Sequence, residues 1–297
     1  MKTSFPVEVQ ILRAFVDHET GGNPAGVVLN ADALTAAQKQ TVARMTGFSE
    51  TAFVSQSTVA DIKLDFYTPT RQIAHCGHAT IATFSFLAQT GVVKTRHSSK
   101  ETIDGRREIL LAGDLAFMEQ KAPQYQSAGL YREQIVQSLG ITEQDLLPGL
   151  PVMRVNTGNS FMIIPVTTPA VLKGIHPDFR FIAQLSEQLD LVGFYVFCLL
   201  PQNQPRDADT RMFAPRYGIE EEAATGMAAG PLACYLFDQL HIKKETYLIQ
   251  QGHFMARPSP SVLQVNVSAK AGQITSLMVG GKGVQTGKST IILEAGM

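Results

Sequence analysis

The chain has 297 residues, 44% of them hydrophobic and 17% charged, with a formal net charge of −1. That is room for two ordinary domains with sizeable cores, far from the charge-rich, apolar-poor compositions that stay disordered. Neither sign of charge forms a block, so the basic footprint needed for nucleic acid or an anionic membrane surface is missing.

Val7 to Val16 is apolar, and the turn-rich Gly21-Gly22-Asn23-Pro24 separates it from a second apolar run, Ala25 to Leu29, which predicts two strands around a loop. Asp32 is placed to cap a helix running to about Thr46, and Gly47 to end it in the left-handed conformation. A short strand follows from Glu50 to Val54. Ile62, Leu64 and Phe66 then alternate with Lys63, Asp65 and Tyr67, the period of a strand with one face buried, until Thr68-Pro69 stops it. From Gly77-His78 through Gln89 the chain is rich in alanine and phenylalanine without a breaker, which predicts a mostly buried helix. Asp104-Gly105 marks a hairpin between Glu101–Ile103 and Arg107–Leu111, and Asp114 to Gln120 adds a strand. Pro123 to Ala128 reads as a linker, dividing the chain into halves 1–125 and 126–297, with a C-terminal strand able to return to the first.

In the second half, helices are expected at Arg132–Leu139 and Phe179–Leu189, and strands at Val152–Val155, Phe161–Val166 and Gly193–Leu200. The tail, including Val262 to Val267 and Thr290 to Leu293, reads as strand. An internal echo then emerges. Phe66-x-x-Pro69 leads into Cys76-Gly77-His78-Ala79, while Phe213-Ala214-Pro215 leads into Thr225-Gly226-Met227-Ala228. Cys76 and Thr225 lie 149 positions apart (225 − 76), half the chain, as a duplicated domain would give. Hairpins dominate, so the sheets are expected to be mostly antiparallel.

A glycine opening a buried helix leaves backbone N–H groups without intrahelical partners, and with the helix dipole these form an anion site. Gly77-His78 and Gly226-Met227 are therefore candidate carboxylate or oxyanion grips; the plain alternative is two well-packed core helices. Glu50, at the start of an apolar strand, is either an exposed strand-end carboxylate or a sheltered one able to act as general base. His78 is either a proton donor and acceptor or a helix-start cap. Gly283-Val284-Gln285-Thr286-Gly287-Lys288-Ser289 is not a P-loop, because three residues separate its glycines where four are required. His75-Cys76-x-His78 offers soft ligands without a distant partner set, so no metal is expected. Cys76, Cys198 and Cys234 are odd in number and lack C-x-x-C spacing, which points to a reducing, cytoplasmic compartment. No secretory signal and no membrane-spanning run is read.

Four ordered segments, Gly22-Asn23-Pro24-Ala25-Gly26-Val27-Val28, Ser49-Glu50-Thr51-Ala52-Phe53-Val54, Thr68-Pro69 with Cys76-Gly77-His78-Ala79-Thr80, and Arg211-Met212-Phe213 with Gly218 to Gly226, resemble the PhzF-like family of phenazine biosynthesis. The resemblance covers essentially the whole chain. It implies an α+β diaminopimelate-epimerase-like fold of two pseudo-symmetric domains, each a mostly antiparallel curled sheet around a central helix. It also implies a cofactor-independent isomerase, a small carboxylate substrate and a homodimer. Glu50 is the implied principal acid/base, assisted by His78 and by Glu222, which stands where the family has aspartate. Asn23, Gly77, His78, Thr225, Gly226 and Met227 form the implied substrate-binding set. Ala223 replaces a family proline, and Met227 a small polar residue, which shifts the expected substrate. The rival readings are a catalytically silent metabolite-binding protein and a Cys76-based racemase. The racemase is disfavoured because Thr225 occupies the place of the second thiol.

Overall fold

The computed structural model describes residues 4–294. The chain divides into two compact units, residues 4–119 with 280–294 and residues 120–279. The division falls inside the long strand Gln273–Glu294, whose far part belongs to the first unit.

In the first unit the helix Gly77–Gln89 is buried around nearly its whole circumference, as a helix without a polar face must be. Its internal hydroxyls are satisfied locally: Thr80 and Thr83 donate to the carbonyls four residues back, at 2.7 Å each. Strands wrap it. Asn23–Val28 pairs parallel with Thr51–Ser55, and Ile62–Tyr67 pairs parallel with His97–Thr102. Parallel neighbours need a crossover, and the helices Ala36–Thr46 and Gly77–Gln89 lie within those two connections. Ser4–Ala14 pairs antiparallel with the end of Gln273–Glu294, from Ser4↔Glu294 to Ala14↔Gly283, with an irregularity at Ile11/Leu12. Val7, Val9, Val28, Val42, Phe53 and Leu293 pack into one core from distant parts of this unit.

The second unit repeats the plan. Its central helix is Gly226–Asp238, 13 residues long like Gly77–Gln89, and the two begin 149 positions apart (226 − 77), which realises the echo read from sequence. Ser160–Pro165 pairs parallel with Gly193–Leu199 around the helix Phe179–Gln188, and Ala208–Ala214 pairs parallel with Thr246–Gln251 around the central helix. The outer helices pack on their own core of Ile135, Leu139, Ile164, Ile182, Leu185 and Phe194.

Several local expectations are corrected. Asp32 does not cap a helix. It sits in a 3-10 turn, Ala31–Ala33, and accepts the Gln56 N–H at 2.8 Å, while Thr35 caps Ala36–Thr46 in a reciprocal box with Gln38. Gly47 ends that helix at φ 69°, as expected. The segment read as a linker holds a strand, Gln124–Ser127, paired antiparallel with Met153–Asn156. The strands Ala208–Ala214, Ile219–Glu222 and Thr246–Gln251 escaped the sequence reading. None of the helices among the described residues is long and apolar enough to cross a membrane.

Candidate active site

Glu50 follows the stop after Ala36–Thr46 and immediately precedes the strand Thr51–Ser55. Its carbonyl accepts the Gly26 N–H at 3.2 Å, so the strand bearing Asn23-Pro24-Ala25-Gly26 fixes the backbone from which the carboxylate projects. Cys76 precedes the central helix in an extended conformation, and His78 lies in the first turn. These three residues, distant in sequence, converge. His78 Nε2 is 3.4 Å from Glu50 Oε2, with the side chains only 6% and 13% exposed. Cys76 Sγ is 3.7 Å from His78 Nδ1 and 3.9 Å from Nε2. Glu50 Oε2 is buried and makes no hydrogen bond among the described residues. One donor atom from each of the three lies within 4.8 Å of the others, so the distant partner that His75-Cys76-x-His78 lacked in sequence is supplied by the fold.

Below this trio lies a residue that the sequence reading missed. Lys100 is fully buried, donates to Thr80 Oγ1 at 2.6 Å, and has His75 Nδ1 at 3.4 Å and the Phe66 ring centroid at 5.1 Å. Thr80 in turn donates to the Cys76 carbonyl. Burial pulls the Lys100 ammonium down to about 7, with Arg107 adding to the effect and Cys76 and Asp104 opposing it. Burial also takes His75 down to about 3, helped by Lys100 and Arg107, which leaves a neutral ring able to accept from Lys100. Asn23 is buried in the same unit, opposite Ala14 at the head of its strand.

The candidates in the second unit form a network of their own. Glu222 accepts a short hydrogen bond from the Thr225 hydroxyl. Gln251, fully buried, donates to the Glu222 carbonyl at 2.7 Å and to Thr225 Oγ1 at 3.2 Å, and its carbonyl accepts the Thr225 N–H at 3.1 Å and the Tyr195 hydroxyl at 3.0 Å. Thr225 and Gly226 are buried at the start of the central helix, and Met227, half-buried, places its sulfur 3.4 Å from the Asn159 amide nitrogen. Gln251 carried a signal in sequence: Tyr247, Ile249 and Gln251 are the inward positions of one strand, with glutamine in a slot otherwise apolar.

The relatives of this chain are named isomerases, and an isomerase is the class of protein to which it belongs. The phenazine biosynthesis-like protein model matches residues 12–288, and the chain belongs to that family. An uncharacterized isomerase of Deinococcus radiodurans is 32% identical, over 90% of this chain and 89% of that one. The trans-2,3-dihydro-3-hydroxyanthranilate isomerase of Pseudomonas chlororaphis is 29% identical, over 95% of this chain and 98% of that one. Among solved structures, the PhzF-family phenazine biosynthesis protein of Bacillus anthracis superposes with a TM-score of 0.86 at 26% identity, covering 97% of this chain and all of that one. The α+β epimerase-like architecture expected from sequence is therefore the fold of this protein.

Proposed function

We propose that the protein moves a proton on a small carboxylate-bearing metabolite, with Glu50 as the acid/base and without a cofactor. The carrying observation is the Glu50 oxygen, buried, without a hydrogen bond and 3.4 Å from His78 Nε2. A buried acceptor left without a hydrogen bond costs roughly 1–3 kcal/mol, and such groups concentrate where chemistry needs them. The carboxylate takes a proton from carbon next to an unsaturated or carbonyl-bearing centre and returns it elsewhere on the same face of the substrate. His78 and the N–H groups at the start of Gly77–Gln89 stabilise the charge that develops. Glu222 is proposed as the assisting carboxyl group, and Asn23, Thr225, Gly226 and Met227 as substrate-binding residues. The Pseudomonas relative is named for an anthranilate substrate, itself a carboxylate, and this supports the substrate class.

Replacing Glu50 by Gln keeps the shape of the side chain and removes its basicity. Screening small unsaturated carboxylates in D₂O, with deuterium incorporation read by NMR, is expected to find exchange with the wild type and a loss of at least ~10²-fold in E50Q. Exchange at the wild-type rate in E50Q would remove Glu50 from the mechanism.

A further inference from the structure

The same three side chains have the spacing and chemistry of a metal site. In a tetrahedral zinc site with bonds of roughly 2.0–2.3 Å, nitrogen and oxygen ligands stand about 3.4 Å apart, and sulfur and nitrogen about 3.6 Å. His78 Nε2 and Glu50 Oε2 are 3.4 Å apart, and Cys76 Sγ and His78 Nε2 are 3.9 Å apart. The three donor atoms lie within 4.8 Å of one another, so side-chain rotation must also draw Cys76 Sγ and Glu50 toward the about 3.6 Å that sulfur and oxygen keep in such a site. The donor set is one thiolate, one imidazole and one carboxylate, which suits a borderline-soft divalent ion and leaves a fourth position open. Its two negative ligands also neutralise a doubly charged ion, which matters where all three side chains are largely withdrawn from water. Glu50 Oε2 is buried and makes no hydrogen bond among the described residues, with His78 Nε2 3.4 Å away, so a lone pair of this oxygen is available to a cation.

We propose that Cys76, His78 and Glu50 bind one zinc-type divalent transition-metal ion, and that the bound ion competes with proton transfer by occupying the carboxylate. The metal site stands on geometry alone. The competition rests on the assignment of Glu50 made above. The other two cysteines do not take part: burial pushes Cys198 up to about 12 and Cys234 further still, so both stay protonated thiols.

The test uses the untagged full-length protein, stripped of metal by a chelator, with Zn²⁺ alone titrated in against a chromophoric chelator. One equivalent per chain bound tighter than about 1 µM is expected. Cys76→Ser, which nearly preserves volume, is expected to weaken binding at least ~100-fold, and Glu50→Gln to weaken it by ~10-fold or more. With Co²⁺ in place of zinc, a thiolate-to-metal charge-transfer absorption is expected in the wild type and in a Cys198→Ala/Cys234→Ala variant. This reading holds even if the Cys76 variant fails to fold. Absence of one-equivalent binding, absence of the absorption, or affinity unchanged in Cys76→Ser overturns the site. If zinc binds as described and deuterium exchange continues at the full rate, the competition is overturned, and with it the catalytic role of Glu50, while the metal site stands.

Discussion

Lys100 is the residue whose environment departs furthest from its chemistry. It lies on His97–Thr102, a strand of polar residues that is nonetheless largely buried because Asp61 Oδ2 accepts from Ser98 Oγ, Ser99 N and Ser99 Oγ. No carboxylate pairs with Lys100 among the described residues; Thr80, His75 and the Phe66 ring are its partners, with Arg107, Asp104 and Cys76 as the nearby charges or ionisable groups. Its pKa falls from 10.5 in the unfolded chain to about 7 in the fold. Between those values the unfolded chain binds more protons, so this residue makes stability rise with pH from about 7 to about 10.5, and its penalty is greatest below 7. Lys100→Met is therefore expected to be more stable than the wild type near pH 6, by roughly 1–3 kcal/mol, with the gain shrinking toward pH 10. Urea unfolding at the two pH values checks this. Identical pH slopes in both proteins would show that Lys100 does not titrate as described.

At the scale of elements, the central helix of the first unit is held by close approach as well as by apolar packing. Ser85 on that helix accepts the Gly283 N–H at 2.8 Å, and Gln89 donates to the Gly283 carbonyl at 2.7 Å, which ties the helix to the returning strand. Three residues earlier on that strand, a Cβ at Gly280 would stand 2.0 Å from the Ala116 carbonyl oxygen and 2.7 Å from the Phe117 Cα. Both obstacles are backbone, so rotamer changes cannot relieve them. Gly280→Ala is expected to lower stability by about 1–3 kcal/mol or more, read as a lower urea midpoint. The capping box on Ala36–Thr46 is a milder case: Thr35→Ala loses the bond from the Gln38 N–H and should cost about 1 kcal/mol. An unchanged midpoint in either variant would contradict the corresponding contact.

For the whole molecule, chain continuity separates the two units. Residues 120–279 are contiguous and carry a core whose members all fall within them. Expressed alone, this segment is expected to fold, with dispersed amide resonances and cooperative unfolding. The first unit is discontinuous: Ser4–Ala14 draws its antiparallel partner from residues 283–294, and Leu293 completes its core. Residues 1–119 alone should therefore remain unfolded or aggregate through the uncovered edge of that strand. A folded 1–119 fragment would show that the returning strand is dispensable.

Sequence by itself determined the features that depend on near neighbours. Gly47 stops a helix because glycine takes a positive φ without a steric penalty, and both central helices begin where the motifs place Gly77 and Gly226, because runs of small and apolar residues behind a glycine leave few alternatives. The duplicated plan was legible for the same reason, since each half repeats its local pattern. Tertiary structure decided what depends on distant partners. Gln124–Ser127 is a strand because Met153–Asn156 pairs with it, although its composition reads as a linker. Glu50 had two open readings in sequence, and only the fold brings its carboxylate 3.4 Å from His78 and shelters it. Lys100 had no signal at all, because burial of a charge is permitted or forbidden by the groups that surround it in space, and those are set by strand pairing rather than by neighbours along the chain.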